Sequence, residues 1–111
     1  MGTLTVQALT TTGLVATYTA AASGGDESIN DGHTFLHIKN GAASTNTITI
    51  ASQVSPVPKG LAAANITIDV TANAEIMTGF FDKYAYNDSS SMIQISYATH
   101  TSITVAAISV T

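Results

Sequence analysis

Apolar and polar residues alternate in short runs along this chain, and glycine, asparagine, aspartate or serine separates one run from the next. Alternation places every second side chain on the same face of an extended strand, so the pattern indicates half-buried β-strands rather than helices. It is clearest at positions that we expect to face the core, namely Ile48, Ile50, Ile66, Ile68, Val70, Ile93, Ile95 and Tyr97. The chain is therefore predicted to consist mainly of strands.

Eight segments carry a strand signal, at the spacing typical of a sandwich or barrel. We predict strands at about Leu4–Ala8, Gly13–Thr19, Thr34–Lys39, Thr47–Ser52, Ile66–Thr71, Glu75–Phe81, Met92–Tyr97 and Ser102–Val110. The predicted fold is all-β: a single antiparallel β-sandwich, or jelly-roll-like domain, of about eight short strands that spans residues 1–111. Residues 1–7 are expected to extend as an N-terminal arm if they do not pair within their own domain.

Other local signals qualify this picture. Ser102–Val110 is apolar on both faces, which is typical of a central strand or of an edge strand that another subunit covers. Pro56 and Pro58 lack backbone donors and predict a loop or an edge, and residues 62–65 are expected to form one helical turn at most. The Asn-Gly pair at 40–41 and the acidic stretch at 26–31 are expected to lie in turns or solvated loops.

The composition leaves little material for chemistry. Only 9% of the residues are charged, arginine and cysteine are absent, and the net charge is −4. Without cysteine there are no disulfides or thiolate metal sites, so packing, sheet hydrogen bonds or a partner must hold the fold. A neutral surface of hydroxyl and methyl groups is inexpensive to desolvate and suits a protein packed against neighbours.

The same composition argues against two classes of partner. Nucleic-acid binding needs clustered lysine and arginine, whereas the three lysines here are isolated. No apolar run has the length of a membrane span, and the N-terminus lacks the features of a signal peptide. We therefore expect no nucleic acid and no membrane as partners, and a chain that is soluble and intracellular when made.

The few titratable residues form no recognisable active site. His33 and His37 would lie about 13 Å apart along a strand, too far to share one metal ion. The acids from Asp26 to Asp31 lack the order of an EF-hand loop, and Glu75 and Asp82 would be too far apart to act on one bond. We predict no catalytic residue, no metal and no cofactor. If either histidine lies at a subunit contact, its titration would make assembly pH-sensitive.

The densest aromatic cluster lies in GFFDKYAYND, residues 79–88. Without a basic groove beside it, it is better interpreted as a core edge or an oligomer contact than as a nucleic-acid or sugar platform. Together with apolar residues near the termini and in Thr34–Lys39, it supplies the candidate interface residues. These are Leu4, Val6, Phe35, His37, Phe80, Phe81, Tyr84, Tyr86, Ile108 and Val110.

Five stretches also resemble a known family. They are LTVQALTTTGLVATYTAAASGGD, NDGHTFLHIKNGAAS, GLAAANITIDVTANAE, GFFDKYAYND and ISYATHTSITVAAI, which together run from Leu4 to about Ile108. The chain resembles a family of small structural proteins of tailed bacteriophages, encoded beside the major capsid protein. The DGxTFLHxKNG segment is the most specific part. The chain departs from the family pattern at His33, where a basic residue is usual, and at residues 71–75, where a Pro-Ala-Gly-Gly-Glu turn is usual.

The resemblance implies a capsid decoration, or cement, protein. Such a protein is a small sandwich that binds the exterior of the icosahedral head in the virion, after synthesis in the host bacterial cytoplasm. The major capsid protein is the implied partner, and a homo-oligomer, either dimer or trimer, is expected. Two alternatives remain open from the sequence: a tail or receptor-binding module that contacts host glycan through Tyr84, Tyr86, Asn87 and Asp88, and a small hydrolase, which the scarcity of bases and nucleophiles disfavours.

Overall fold

Short strands account for most of the regular structure in a computed structural model that describes residues 2–53 and 65–110. The elements are β1 (Gly2–Leu4), β2 (Val6–Ala8), β3 (Thr19–Ala20), β4 (Asp26–Ile29), β5 (Thr34–Asn40), β6 (Asn46–Ile50), β7 (Ile66–Val70), β8 (Glu75–Met77), α1 (Lys83–Tyr86), β9 (Met92–Tyr97) and β10 (Ile103–Ser109). The predicted loop or edge around Pro56 and Pro58, and nearly all of the predicted turn at 62–65, lie outside the described residues.

The strands form two sheets that pack face to face, which confirms the predicted β-sandwich. The first sheet has the order β1-β4-β9-β6-β7, and the second has the order β2-β10-β5-β8 with β3 also paired to β10. The chain changes sheet repeatedly, for example from β4 to β5 and again from β5 to β6. Because most strands lie beside neighbours that are distant in sequence, the turns between sheets must be held by specific contacts.

The core lies between the sheets and is formed by alternate residues of the long strands. Leu36, Ile38, Ile48, Ile50 and Ile93 are completely buried there. Burying a side chain of this size contributes roughly 1.5–3 kcal/mol. All the predicted core positions face this layer: Ile48, Ile50, Val70, Ile93 and Ile95 are buried, and Ile66, Ile68 and Tyr97 are partly buried and packed against the core.

The N-terminal segment belongs to both sheets. Strand β1 pairs in parallel with β4, and after Thr5 the chain passes to the second sheet, where β2 pairs in parallel with β10. Both sheets are therefore mixed, whereas the other strand pairs of the described residues are antiparallel as predicted. Residues 2–8 pair within their own domain, so the condition for an extended arm is not met in the isolated chain.

Strand β4 lies where the sequence indicated a solvated acidic loop, and that expectation is wrong. Asp26 is 1% exposed and Ser28 is fully buried, because both side chains point towards the core. The Tyr97 hydroxyl donates a hydrogen bond of 2.6 Å to Asp26 Oδ2, and Ala22 N donates to the same oxygen at 3.2 Å. Burial and the neighbouring Asp26 carboxylate raise the pKa of Tyr97, which keeps its hydroxyl protonated as a donor. Polar residues at core positions concealed the strand pattern.

Two predicted strands are much shorter in the structure. Only Thr19 from Gly13–Thr19 pairs with a strand. At Thr17 the side-chain amide of Gln7 takes the place of a neighbouring strand, since it exchanges two hydrogen bonds of 2.8 Å with the Thr17 backbone. Glu75–Phe81 is a strand only to Met77. There the hydroxyl of Thr78 accepts the hydrogen bond from Leu36 N that a continuing strand would have accepted.

Strand β10 lies between β2 and β5. Of the two explanations for its apolar faces, a central strand is therefore correct, and an edge strand covered by another subunit is not. Val105 and Ala107 point into the core, so Ala106 and Ile108 point to the outer face of the second sheet. These two are nevertheless only 2% and 5% exposed. The segment that contains Tyr18 lies over part of this outer face and contacts β5. The apolar outer face of β10 at Ala106 and Ile108 is therefore covered within the chain itself.

Asp82 caps the helical turn α1, because its carboxylate accepts a hydrogen bond of 2.9 Å from Tyr84 N. An acceptor at this position satisfies one of the free backbone donors of the first turn. No helix within the described ranges is long and apolar enough to cross a membrane.

Two glycines with the same backbone conformation allow a test of the packing around β9. Gly13 and Gly25 both have φ of +98°, but a Cβ at Gly25 would lie 2.4 Å from the carbonyl oxygen of Ile95, whereas a Cβ at Gly13 would meet nothing within 4 Å. Gly13→Ala should cost about 1–2 kcal/mol from backbone strain. Gly25→Ala should cost about 1–3 kcal/mol more than Gly13→Ala, because backbone atoms must also move apart. Urea unfolding measures both, and equal losses would contradict the packing described here.

Candidate functional site

The most exposed aromatic residues, Phe80 and Tyr84, lie on one segment, which Asn30 attaches to the turn between β4 and β5. Asn30 is 2% exposed, and its Nδ2 donates to Phe81 O at 3.1 Å and to Asn87 Oδ1 at 2.7 Å. Asn87 Nδ2 donates back to Asn30 O at 2.8 Å, and Gly32 N donates to Asn30 Oδ1 at 3.1 Å. We call this set of hydrogen bonds the Asn30 clamp. It attaches the 79–87 segment to the turn between β4 and β5.

The turn after Asn30 is organised by Asp31. Its Oδ1 accepts hydrogen bonds of 2.8 Å from His33 N and 3.0 Å from the hydroxyl of Thr34. The hydrogen bond from His33 N is the main cause that lowers the pKa of Asp31. Gly32 has φ of +87°, a conformation that glycine adopts without strain. The Asp-Gly pair therefore fixes how the chain enters β5.

The clamp directs two adjacent phenylalanines in opposite directions. Phe81 is 3% exposed and belongs to the core, whereas Phe80 is 55% exposed. The ring of Phe80 contacts His33 and Phe35, with centroid distances of 6.2 and 6.4 Å. Phe81 thus anchors the segment that presents Phe80 to solvent.

Further apolar side chains extend the surface around Phe80. Met77 is 63% exposed and pairs in register with His37, which places it on the outer face of the second sheet with Phe35. Val110 is 40% exposed and is held beside the turn by a hydrogen bond of 2.8 Å from its N to His33 O. We define the Phe80 patch as His33, Phe35, Met77, Phe80 and Val110. Large contiguous apolar patches on a folded protein are typical of sites of interaction.

An apolar groove continues from the patch towards the side of the sandwich where β7 and β8 are the last strands of their sheets. Its volume is about 190 Å³, and its lining is Ile66, Ile68, Ile76, Thr78, Gly79, Phe80 and Phe81. Apolar cavities of comparable size accept a single aromatic molecule. The groove therefore offers space for one apolar side chain of a partner beside Phe80.

His37 has a different environment from the other candidate residues. Its Nδ1 is 2.6 Å from the Tyr18 hydroxyl and its Nε2 is 2.9 Å from Glu75 Oε1. Lys39 Nζ lies 3.9 Å from the centre of the Tyr18 ring. Both ring nitrogens of His37 are engaged within the chain and its side chain is only 10% exposed. His37 is therefore an internal contact that fastens Tyr18 to the sheet, and its proposed role at a pH-sensitive subunit contact is not supported.

The structure divides the ten candidate interface residues by burial. Phe80, Tyr84 and Val110 are exposed, and Val6, Phe35 and Tyr86 are partly buried. The remaining four are buried within the chain: Leu4, His37, Phe81 and Ile108. Their burial keeps those four from contacting a partner in this conformation. The prediction included them because apolar composition alone does not separate a core residue from a surface residue.

Three participants were missed at the level of sequence. From the sequence alone, Met77 belongs to a predicted strand with no face assigned. His33 is a candidate metal ligand or subunit contact but is not one of the ten interface residues, and Asn30 belongs to a predicted acidic loop. The outward position of Met77 could have been found from its spacing to Ile76 in the same strand. Nothing in the sequence near Asn30 indicated that its amide bridges to residues 81 and 87.

The residues considered for metal binding and glycan binding do not come together. Within residues 2–53 and 65–110 no three His, Asp or Glu side chains form a group that could hold a metal ion. Of the residues considered for glycan binding, Tyr84 is 90% exposed, but Asn87 belongs to the clamp and Asp88 accepts hydrogen bonds from Ser90 N and Met92 N. Tyr84 alone is presented to solvent as that alternative requires.

Comparison of the chain with protein-family models, with curated proteins and with solved structures gives no match. The function must therefore be argued from the residues and from the geometry of this end of the sandwich.

Removing the clamp tests whether it positions the Phe80 patch. Asn30→Ala leaves three backbone or side-chain partners without a bond and should destabilise the protein by about 1–3 kcal/mol. Hydrogen exchange at the amides of Tyr86 and Asn87 should accelerate more than exchange in β5. Ser89→Ala, an exposed change in the following loop, serves as the control. Equal exchange rates in the variant and the wild type would contradict this role.

Asp88 should contribute to stability in a pH-dependent way. The hydrogen bonds from Met92 N and Ser90 N lower the pKa of Asp88 below its usual 3.8. A lowered pKa in the folded state stabilises the fold above the unfolded-state pKa, and this stabilisation is lost as the pH falls through the folded-state value. Between about pH 5 and pH 2, Asp88→Asn should therefore lose less stability than the wild type. Parallel stability curves over that range would exclude the contribution.

Proposed function

We propose that this chain is a non-enzymatic decoration, or cement, protein of a tailed bacteriophage. It binds the outer surface of the icosahedral head through the Phe80 patch and stabilises contacts between capsomers. The observation that carries the proposal is the patch itself: exposed Phe80 and Met77 on a rigid sandwich, held in place by the buried Asn30 clamp. A surface fixed before binding loses little conformational entropy when a partner covers it.

Two of the stretches that resemble phage structural proteins contribute Phe35 and Phe80 to this surface, whereas Met77 and Val110 lie outside the resembling stretches. In DGHTFLHIKNG, Asp31 and Gly32 form the turn, and the strand that follows supplies Phe35 to the patch. In GFFDKYAYND, Phe80 is exposed, Phe81 is in the core and Asn87 belongs to the clamp. The resemblance therefore extends to part of the proposed contact surface, which supports the proposal.

The physical character of the chain also suits a cement role. With 9% charged residues and no arginine, its surface is inexpensive to desolvate against a capsid. A protein that binds the assembled shell and not its separated parts shifts the equilibrium towards assembly. Symmetry repeats the contact over the whole head, so a modest affinity at each site stabilises the particle.

The partners follow from the same proposal. The major capsid protein is the proposed binding partner, with a dimer or trimer of this chain as the bound form and the virion exterior as its location. Nucleic acid is not proposed, because the described lysines are isolated and the net charge is −4. A glycan-binding tail module has only Tyr84 in its favour, and no observation recommends a hydrolase.

The copy number in the virus particle tests this function. Particles that carry the gene are purified, and the chain is quantified against the major capsid protein by mass spectrometry. A ratio of one copy per capsid subunit, or a simple fraction of it repeated over the shell, is expected. A few copies per particle would indicate a tail or vertex component instead, and absence from the particles would reject the proposal.

A further inference from the structure

We propose that two copies of this chain pair through the free edge of β7, so that the first sheets of the two copies join into one continuous sheet. Strand β7 of each copy lies antiparallel to β7 of the other, about a two-fold axis at Ile68. The proposed function includes a dimer or trimer, and this inference names the contact surface. It concerns the free protein and does not require binding to a capsid, so the two proposals are tested separately.

Strand β7 is the last strand of the first sheet, and its outer edge has no neighbouring strand among the described residues. It has five residues, whereas the other terminal strands of the two sheets, β1, β2 and β8, have three each. Edge strands are commonly protected by lysine, by proline or by a bulge. Strand β7 contains none of these, and its residues pair one to one with β6. Its edge is therefore regular and open to a further strand.

The backbone groups on this edge belong to Thr67 and Asp69. Alternate residues of a strand in an antiparallel sheet direct their N–H and C=O groups to opposite neighbours. Thr47 and Ala51 of the β6 segment bond to the β9 segment, at 2.9 and 3.1 Å. The residues that alternate with them bond to β7, and their register partners there are Ile66, Ile68 and Val70. The backbone groups of Thr67 and Asp69 therefore point away from β6, and both residues are exposed.

The side chains on this edge complement those of a second copy. With Ile68 at the two-fold axis, Thr67 of each copy lies opposite Asp69 of the other, and their backbone groups meet. The Thr67 hydroxyl then donates to the Asp69 carboxylate of the second copy. The same two residue types already meet across β6 and β7, where Thr47 Oγ1 donates to Asp69 Oδ1 at 2.9 Å. A carboxylate accepts several hydrogen bonds, so Asp69 accommodates a second hydroxyl.

The inner side of the same edge is apolar. Ile66 and Ile68 are only partly buried, and together with Ile76 they line the apolar groove between β7 and β8. In the proposed register, Ile68 of one copy packs against Ile68 of the other, and Ile66 lies opposite Val70 of the second copy. Pairing therefore covers apolar surface as well as adding backbone hydrogen bonds. A strand of unrelated sequence offers the backbone hydrogen bonds alone, which favours a second copy as the occupant.

A charge introduced at position 67 tests the contact. Thr67 faces the neutral Thr49 within the chain, so Thr67→Glu places no charge directly opposite another in the single copy. In the dimer, the introduced carboxylate faces Asp69 of the second copy at two places. Thr67→Glu with Asp69→Lys restores opposite charges across the contact. The matched control Thr49→Glu adds the same charge to the same face one strand further from the edge. Thermal unfolding establishes that each variant is folded.

Sedimentation equilibrium of the purified proteins measures the association. The wild type should dimerise, Thr67→Glu should weaken the dimer about tenfold or more, and the double variant should recover most of the loss. Thr49→Glu should associate like the wild type. Hydrogen exchange supplies a second measurement. A higher protein concentration should slow exchange at the amides of Thr67 and Asp69, but not at Ile68, whose backbone already bonds to β6.

Three results would overturn the inference. The first is a wild-type protein that remains monomeric at about 1 mM. The second is a dimer that Thr67→Glu leaves unchanged, which would place the contact elsewhere. The third is protection from exchange at Glu75 and Met77, whose backbone groups form the free edge of β8, in place of protection at β7. Absence of the chain from virus particles would reject the proposed function and leave a dimer of the free protein standing.

Discussion

The candidate site depends on the hydrogen bonds made by the buried side-chain amide of Asn30. An amide removed from water is stable only if its hydrogen bonds are replaced, and here Nδ2 and Oδ1 both have partners within the chain. Those partners belong to two segments far apart in sequence. Separating the two segments would leave the buried amide without these hydrogen bonds, which is unfavourable. The hydrogen bonds therefore hold the 79–87 segment against the turn that precedes β5. Phe81 can then pack in the core while Phe80 remains outside.

Two other asparagines act in a similar way elsewhere in the sandwich. Asn40 is 2% exposed, and its Nδ2 donates to Ser44 O and Val70 O, both at 2.9 Å. Asn46, also buried, donates through Nδ2 to Thr99 O and accepts from Thr99 N. A chain that changes sheet so often has many backbone groups at its turns that no neighbouring strand can satisfy. Buried asparagine supplies both a donor and an acceptor for them.

The sequence predicted the part of the fold that follows from alternation. Strands such as Thr34–Lys39 and Met92–Tyr97 were found with nearly correct bounds because their apolar residues recur at every second position. Strand β4 was missed because Asp26 and Ser28 occupy core positions, where the partner of Asp26 is Tyr97, far away in sequence. The site was predicted only in outline for the same reason: an exposed Phe80 and a buried Phe81 differ in their long-range contacts, and not in composition.

A cryo-electron microscopy reconstruction of particles that carry this chain tests most directly whether the Phe80 patch faces the capsid. We expect density for a small β-sandwich on the outside of the shell, oriented so that Phe80 and Met77 are covered by the major capsid protein. A sandwich bound to the shell with the Phe80 patch open to solvent would contradict the account.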